Sequence, residues 1–380
     1  MPGDSIGAFY EFFAGGGMAR LGLGPRWACS FANDYDPAKA RAYGAAHGTQ
    51  HLVIGDVWKL NASDLPGHAR LAWASFPCQD LSLAGERRGL SAPRSGAFWG
   101  FWRLIEALDS ERRAPNILAL ENVTGLLTSH DGADFQNLCA TLAGAGYRVG
   151  ALTIDAALFT PQSRPRVFIV ATRTRIPADL IQSAPSAPFH SPVLEAAAAR
   201  LSGEVASQWV WWRLPAPPLR NTALADILEP DDRVTWRDRA DTDRLLALMS
   251  PLQRARLDTE RKSGERRVGA VFRRMRTESG VKIQRAEARF DGLAGCLRTP
   301  AGGSSRQSII AIENGKVRSR LLTARECARL MGLPDDYPLP ASANAALHLV
   351  GDGVAVPVVR WLSEHVLTPL AQDRARRAVA

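Results

Sequence analysis

A cysteine between a proline and a glutamine, Pro77-Cys78-Gln79, directly follows the apolar run 70–75. A thiolate is a strong nucleophile, and the carboxyl end of a strand is where α/β sheets bind their ligands. Most cysteines outside disulfides are small buried hydrophobic residues. The segment alone therefore leaves a nucleophile and a core residue as alternatives.

Two further polar segments border apolar runs. Glu121 directly follows the run 116–120 and is itself followed by Asn122. Burying a carboxylate there is costly unless it is paired, caps a helix or has a function. Arg164 and Arg166 flank Pro165 just before the run 167–171. Two guanidinium groups at such a place bind anions or carbonyl groups in a pocket, or else belong to a surface hairpin.

A glycine loop, Ala14-Gly15-Gly16-Gly17, joins the apolar run 7–13 to a predicted helix. Glycines let the backbone turn tightly and approach a ligand closely. Asp34 lies about 20 residues further on, where an acid can bind ribose hydroxyls, and Tyr35 can stack on an adenine. A plain loop is the alternative. The pattern predicts a nucleotide-like cofactor, and because the spacing is not GxGxxG it disfavours a nicotinamide dehydrogenase.

The elements that must position these residues alternate along the first 175 residues. Strands are predicted at 7–13, 27–31, 70–75, 116–120 and 167–171. Helices are predicted at 18–23, 37–47, 98–108 and 135–143. This alternation predicts an α/β fold with a parallel sheet covered on both faces. From 177 to 218 the chain is rich in Ala, Ser and Pro with a Trp cluster, which indicates a connector.

The C-terminal part carries clear helix signals. Thr323 and Glu326 form a predicted capping box, and the helix that follows should stop at Gly332. A last helix is predicted at 354–370, with Pro357 in its first turn. We therefore divide the chain into domains at 1–176, 177–320 and 321–380, with the last helix returning to the first domain.

Charge and cysteine content narrow the class of protein. The chain has 47 Lys and Arg, 38 Asp and Glu and a net charge of +9. Ten basic and only three acidic residues fall within 261–289, which indicates a polyanionic partner or a solvated basic face. Five scattered cysteines exclude a disulfide framework and predict a cytoplasmic protein, and their spacing predicts no metal site. No apolar run approaches ~18 residues, so we expect no membrane span.

Taken in order along the chain, these segments resemble the motifs of the DNA (cytosine-5) methyltransferases of bacteria and phages. The matching segments are Phe12-Phe13-Ala14-Gly15-x-Gly17, Phe76-Pro77-Cys78-Gln79, Glu121-Asn122-Val123, Gln162-x-Arg164-x-Arg166, Arg325-Glu326-Cys327-Ala328-Arg329-Leu330-Met331-Gly332 and Gly351-Asp352-Gly353-Val354. The match covers about residues 7–175 and 292–370. The resemblance implies a Rossmann-like S-adenosylmethionine-dependent methyltransferase domain and, at 177–291, a smaller target-recognition region without motifs.

The resemblance also implies a mechanism. Cys78 adds to carbon 6 of a cytosine that has been flipped out of the duplex, and carbon 5 then attacks the methyl group. Glu121, partly protonated through burial, holds N3, and Arg166 holds the O2 edge with Arg164 as a second cationic contact. The resemblance also implies double-stranded DNA as the substrate, and either pairing with a restriction endonuclease or protection of phage or host DNA. An RNA cytosine methyltransferase and an inactive DNA-binding homologue are the alternatives.

Two sets of binding residues follow from the same resemblance. The residues expected at S-adenosylmethionine are Phe13, Ala14, Gly15, Gly17, Asp34, Tyr35, Asp56, Val57, Pro77, Phe98, Asp352 and Val354. The residues expected at DNA are Gln79, Ser82, Arg87, Arg88, Arg266, Arg267, Arg273, Arg274, Arg298 and Arg306. Asp352 stands where the family often has asparagine, and we expect it to cap the last helix rather than to bind the cofactor.

Overall fold

The computed structural model describes residues 5–77, 96–278, 280–299 and 306–377. The chain forms two compact units. The first unit spans Met1–Asp155, Pro165–Pro218 and Val354–Ala380, and the second spans Ala156–Arg164 and Leu219–Gly353. Each unit contains a sheet of its own.

The first unit is built on a seven-stranded mixed sheet. Its strands are β1 Gly7–Phe12, β2 Trp27–Asp34, β3 Leu52–Ile54, β4 Leu71–Ala74, β5 Ile117–Val123, β6 Arg148–Asp155 and β7 Pro165–Thr172, in the order β3-β2-β1-β4-β5-β7-β6. The first five strands are parallel, as predicted, whereas β7 runs antiparallel to both β5 and β6. All four residues of β4 are buried, which is typical of a parallel strand covered on both faces.

Helices of the first unit pack on this sheet. They are α1 Met18–Leu23, α2 Pro37–His47, α3 Ala97–Ser110, α4 Ala133–Gly144, α5 Pro192–Ala198 and α6 Gly203–Ser207. Helix α3 contributes an aromatic face, Phe98, Phe101 and Trp102, to the core. Asp36 begins α2, because its carboxylate accepts hydrogen bonds from the N–H groups of Ala38 and Lys39.

The segment 177–218 is more than the connector predicted from its composition. Two-residue strands β8 Ile181–Gln182 and β9 Trp211–Trp212 pair with each other, and the side chain of Trp212 is fully buried. The Val210 N–H donates to the Val149 carbonyl oxygen at 2.7 Å, so the segment covers the outer edge of β6. A covered edge strand cannot pair with another chain. The prediction was wrong because Trp212 is a core residue although it lies in a proline-rich stretch.

The second unit combines an antiparallel sheet with four helices. Its elements are α7 Arg239–Ala247, α8 Pro251–Lys262, β10 Arg267–Glu278, β11 Val281–Arg289, β12 Ser308–Glu313, β13 Lys316–Leu321, α9 Ala324–Leu330 and α10 Ala343–Asp352. The sheet order is β11-β10-β12-β13. Leu245, Met249 and Leu257 pack on Val271 and Ile310 to form its core. The capping box of Thr323 and Glu326 is confirmed, and Gly332 follows α9 with a φ of 75°.

The C-terminal helices return to the first unit, as predicted. Helix α11 spans Val356–Leu362 with Pro357 near its start, a π-helical turn covers Ser363–Leu367, and α12 spans Thr368–Arg377. A Cβ added to Gly22 of α1 would lie 2.4 Å from Val359 Cβ, so α1 and α11 touch at a glycine. The stretch Ala343–Gln372 is apolar and long enough to cross a membrane by length and composition alone, and its most apolar part is 56% buried.

These units differ from the predicted domains at two boundaries. Residues 177–218 group with the seven-stranded sheet, and 321–353 group with the four-stranded sheet. The short segment Ala156–Arg164 also leaves the first unit and joins the second. The amino-acid composition changes near 177, but it does not reveal with which sheet the following segment packs.

Candidate functional site

The carboxyl ends of the parallel strands form a crevice in the first unit. The chain passes from β1 to β2 and β3 on one side and then returns to β4 on the other side, which makes β1 and β4 a topological switch point. Ligands of open α/β sheets bind at such points. The glycine loop follows β1, Asp34 ends β2 and Pro77 follows β4, so the sheet brings these predicted residues to one edge.

The glycine loop has a strained backbone. Phe13, Gly15 and Gly17 have φ values of 57°, 55° and 75°, and Phe13 is a bulky residue in a region that usually requires glycine. Within the described part of the chain, a Cβ on Gly15 would meet no atom within 4 Å, whereas one on Gly17 would lie 2.4 Å from the His47 ring. The described residues therefore leave room at Gly15 and pack closely at Gly17.

Asp34 holds this loop from beneath. Its Oδ2 accepts a hydrogen bond from the Gly15 N–H at 2.7 Å, and its Oδ1 accepts one from the Asp36 N–H at 2.9 Å. The side chain is buried, and burial raises its pKa despite these hydrogen bonds. A contact between Asp34 and a ribose stays a prediction, because each carboxylate oxygen can accept a second hydrogen bond.

Other predicted cofactor residues differ in exposure. The Tyr35 ring is 70% exposed, and Asp56 is exposed with Oδ1 accepting from the Trp58 N–H at 3.0 Å. Val57 is buried directly after it. Phe98 is only 1% exposed and packs 5.5 Å from Phe76, and its contact with the cofactor stays a prediction.

A buried polar cluster behind the glycine loop was missed by the sequence analysis. Glu11 of β1 is fully buried; its Oε1 accepts from the Arg20 N–H at 3.2 Å and its Oε2 from the Tyr43 hydroxyl at 3.3 Å. The Arg20 guanidinium contacts the Tyr43 hydroxyl and His51. The signal was present, since a glutamate in the middle of an aromatic strand is costly without partners.

Burial shifts the titration of this cluster. It raises the pKa of Glu11 to about 8, although Arg20 and its backbone N–H oppose the shift. Burial and the charge of Arg20 lower the pKa of His47 to about 4, which keeps its ring neutral. The His47 Nε2 lies 3.1 Å from the Gly17 carbonyl oxygen and donates to it when it carries the proton. His47 thus fixes the end of the glycine loop.

Two predicted catalytic residues meet on the same sheet face. Arg166 Nε lies 3.2 Å from Glu121 Oε1, and both side chains are mostly buried. Glu121 of β5 is paired in register with Phe168 of β7, so Arg166 is its diagonal neighbour. The Asn122 amide donates to the Phe76 carbonyl oxygen at 3.0 Å. This contact ties the chain just before Cys78 to the strand that carries Glu121.

Cys78 itself and part of the predicted DNA contacts lie outside the described residues. These residues are Cys78, Gln79, Ser82, Arg87 and Arg88. Their predicted roles remain predictions from sequence.

The structure corrects the role predicted for Arg164, because its guanidinium lies inside the second unit. It is 2% exposed and donates to the carbonyl oxygens of Leu297, Gly351 and Gly353 at 2.9, 2.8 and 2.7 Å. Neighbouring Gln162 donates to the Leu330 carbonyl and accepts from the Leu297 N–H. Arg164 thus fixes three backbone segments of the second unit, and a role as second contact to the substrate base does not fit this arrangement.

Asp352 does not cap the last helix. It is the final residue of α10 and is exposed, whereas Ala355 precedes the first turn of α11. The prediction was wrong because the sequence pattern did not reveal that α10 ends there. Val354, one of the predicted cofactor residues, is buried in the first unit.

Most of the basic segment 261–289 is paired with acids. Arg266 pairs with Asp231, and Arg267 with Glu260 and Glu265. Arg274 and Arg276 reach Glu287. The predicted DNA contacts Arg266, Arg267 and Arg274 are therefore partly neutralised within the protein, whereas Arg273 makes no ion pair with a described residue. Arg298 and Arg306 are exposed. Among the described residues, no group of three His, Cys, Asp or Glu side chains could hold a metal ion.

Comparison with known proteins agrees with this geometry. The family model for C-5 cytosine-specific DNA methylases matches residues 7–367. The chain belongs to this family. Type II methyltransferase M.NlaX of Neisseria lactamica is 29% identical over 373 residues, covering 97% of this chain and 98% of its own length. Type II methyltransferase M.HhaI of Haemophilus parahaemolyticus is 25% identical and covers 94% and 93%.

Solved structures of similar fold support the same architecture. The Dnmt2 methyltransferase of S. pombe has a TM-score of 0.55 and 16% identity, covering 97% of this chain and 98% of its own. A putative DNA modification methyltransferase from an E. coli prophage also has a TM-score of 0.55, at 16% identity. The chain is thus a methyltransferase that acts on carbon 5 of cytosine in DNA with S-adenosylmethionine as methyl donor.

The crevice of this DNA methylase fits the donor chemically. No atom of the described residues lies within 4 Å of a Cβ placed on Gly15, and the exposed Tyr35 ring offers a face on which an adenine can stack. Asp34 and Asp56 bring carboxylate oxygens to the same edge of the sheet, where hydroxyl and amine donors can be bound.

Proposed function

We propose that this enzyme methylates cytosine within one specific double-stranded DNA sequence, as the modification member of a restriction–modification system in the cytoplasm. The names of the relatives above, Type II methyltransferases, support the pairing with a restriction endonuclease. The pairing of Glu121 with Arg166 beside the strand that leads to Cys78 is the observation that carries the proposed chemistry.

In this proposal the Cys78 thiolate forms a bond to carbon 6 of a flipped-out cytosine. Electron density then shifts to carbon 5, which bonds to the methyl group. S-adenosylmethionine would supply this methyl group as an electrophile, with its methyl–sulfur bond broken and S-adenosylhomocysteine as the leaving group. Loss of the carbon 5 proton and cleavage of the sulfur–carbon 6 bond complete the reaction and regenerate the thiolate.

Glu121 and Arg166 act together on the opposite edge of the base. Glu121 donates a hydrogen bond to N3 once its carboxyl group carries a proton, and Arg166 places a positive charge beside the O2 edge as negative charge develops there. Their mutual ion pair fixes both groups before the base arrives, so less order is lost on binding. The cofactor roles of Phe13, Gly15, Tyr35 and Asp56 belong to the same proposal.

A trapping experiment tests the covalent step. DNA with 5-fluorocytosine at the target cytosine should form a denaturant-stable adduct that requires both Cys78 and S-adenosylmethionine, because fluorine cannot leave as a cation. Cys78→Ala should abolish the adduct and methyl transfer while cofactor binding persists. An adduct that survives Cys78→Ala would overturn the assignment of the nucleophile.

Bisulfite sequencing of host DNA that expresses the enzyme identifies its target. We expect complete methylation at one short sequence and none elsewhere. Methylation of host RNA with unmodified DNA would instead support the RNA methyltransferase alternative. We assign sequence selection to the second unit, which contains the segment 219–291 without catalytic motifs. Grafting Leu219–Arg289 onto a related enzyme should transfer the target sequence.

A further inference from the structure

The hairpin of β10 and β11 has two chemically different faces. Antiparallel register pairs Arg274 with Arg285 and Arg276 with Ile283, so these residues share one face with Glu278 and Glu287. Arg273, Met275, Thr277, Lys282 and Gln284 share the other face, which we call the acid-free face. All five of its residues are exposed.

On the face that carries Arg274, Arg276 and Arg285, acidic residues of the hairpin neutralise the positive charges. Arg276 pairs with Glu287, and the Arg285 guanidinium pairs with Glu278. Arg274 lies 4.0 Å from the Glu287 carboxylate and 5.5 Å from the Phe272 ring centre, so it is folded back towards the sheet. These arginines would have to leave their partners before they could bind a phosphate.

The acid-free face has the opposite character. Arg273 and Lys282 make no ion pair with a described residue, and Gln284 makes no side-chain hydrogen bond with one. Met275 is 59% exposed although it is apolar. Nearer the sheet, the same side of the hairpin is buried under α7 and α8 through Val271 and Ala286. The five residues therefore begin where the helices stop covering this side.

A further positive charge borders this face. The Arg237 guanidinium hydrogen-bonds to Ser308 and Ser319. Burial lowers its pKa, and the nearby charge of Arg273 lowers it further, whereas Asp241 raises it.

We propose that the acid-free face lies in the major groove of the target DNA, with Gln284 and Met275 towards the base edges and Arg273 and Lys282 on phosphates. This inference rests on the proposed function, since it names the surface that selects the sequence. A β-ribbon fits the major groove, which is ~12 Å wide, and the five residues of strand from Arg273 to Thr277 span about 13 Å. Glutamine reads adenine, and an apolar side chain can contact a thymine methyl group.

A binding experiment compares the two faces. Arg273→Ala is matched with Arg276→Ala, which removes the same charge from the same strand but from the opposite face. Binding of the full chain to a short duplex is measured at several salt concentrations. Arg273→Ala should weaken binding to all duplexes by a similar factor and reduce the salt slope by about 1, while Arg276→Ala leaves both unchanged. Equal effects of the two variants would overturn the inference.

Gln284→Ala tests the reading of bases. Binding to the target duplex should weaken about tenfold, binding to unrelated duplexes should not change, and bisulfite sequencing should show relaxed choice at one base pair. A Gln284→Ala enzyme with the wild-type sequence profile contradicts the inference but leaves the proposed function intact. A wild-type chain that binds duplex DNA through Arg273 yet methylates no cytosine contradicts the function and not the surface.

Discussion

Glu121 and Arg166 are diagonal neighbours on β5 and β7, and the Arg166 Nε lies 3.2 Å from the Glu121 Oε1. The pair is mostly buried, so truncation of either residue leaves a charge without its partner. Effects on activity must therefore be separated from effects on folding by variants that keep the size of the side chain.

Glu121→Gln is such a variant. The amide keeps the shape and can donate to N3, but it cannot gain or lose a proton as charge develops on the ring. We expect kcat to fall by roughly 100-fold or more, while the KM for S-adenosylmethionine stays near the wild-type value. Steady-state incorporation of tritiated methyl groups measures both constants. A variant with wild-type kcat would remove Glu121 from the reaction.

Substitutions of Arg164 and Arg166 should change different properties, folding stability for Arg164 and kcat for Arg166. Arg164→Ala leaves three backbone carbonyl groups without their charged donor, and we expect a loss of roughly 3–5 kcal/mol of folding stability. Arg164→Lys should recover only part of it, because one ammonium cannot reproduce the planar fork. Arg166→Lys should instead keep the melting temperature and reduce kcat. Thermal melts paired with single-turnover assays distinguish the two, and a stable but inactive Arg164→Ala would restore its predicted contact with substrate.

The sequence was sufficient where local signals coincide. Helices α1 and α2 have the predicted bounds, and the capping box before α9 is present. Each of these rests on neighbouring residues: a glycine loop, an Asp-Pro start and a Thr with Glu three residues later. The glycine loop, Asp34 and Pro77 could be predicted to lie together because the family motifs that contain them follow the ends of strands.

Other features depend on contacts between distant residues. β3 has only three residues, too few for a periodic pattern, and the antiparallel direction of β7 is set by its pairing with β5 and β6. The Gln-x-Arg-x-Arg motif is divided between the two units, since Arg164 belongs to the second and Arg166 to the first. No spacing within the motif reveals that its two arginines face different surroundings.

Glu11 predicts a pH dependence of stability. Its folded-state pKa of about 8 exceeds the ordinary value of 4.5. The stability that the protonated Glu11 contributes is therefore fully present below pH 4.5 and is lost as the pH rises through about 8. Glu11→Gln should therefore show a smaller fall in melting temperature than the wild type between about pH 6 and pH 9. The exposed Glu204→Gln on α6 is the control and should follow the wild type. A Glu11→Gln curve parallel to the wild type would show that Glu11 stays ionised.

The buried pair of Arg320 and Glu326 gives the last prediction. Both guanidinium NH groups lie 2.7 Å from the Glu326 carboxylate oxygens, and the two side chains are 1% and 0% exposed. The same carboxylate accepts from the N–H groups of Thr323 and Glu229. Glu326→Ala therefore strands a buried cation and two backbone donors and should cost roughly 3–5 kcal/mol.

A matched surface pair joins Arg329 of the same helix, α9, to Asp335 beyond the end of that helix. Arg329 contacts the exposed Asp335, and its hydrogen bond and positive charge lower the pKa of that carboxyl group. Asp335→Ala should leave the melting temperature nearly unchanged, because water screens an exposed pair. Unfolding can be followed by the fluorescence of Trp236, whose ring centre lies 5.2 Å from the Arg320 guanidinium. Equal stability losses for Glu326→Ala and Asp335→Ala would mean that burial does not set the strength of the Arg320–Glu326 pair.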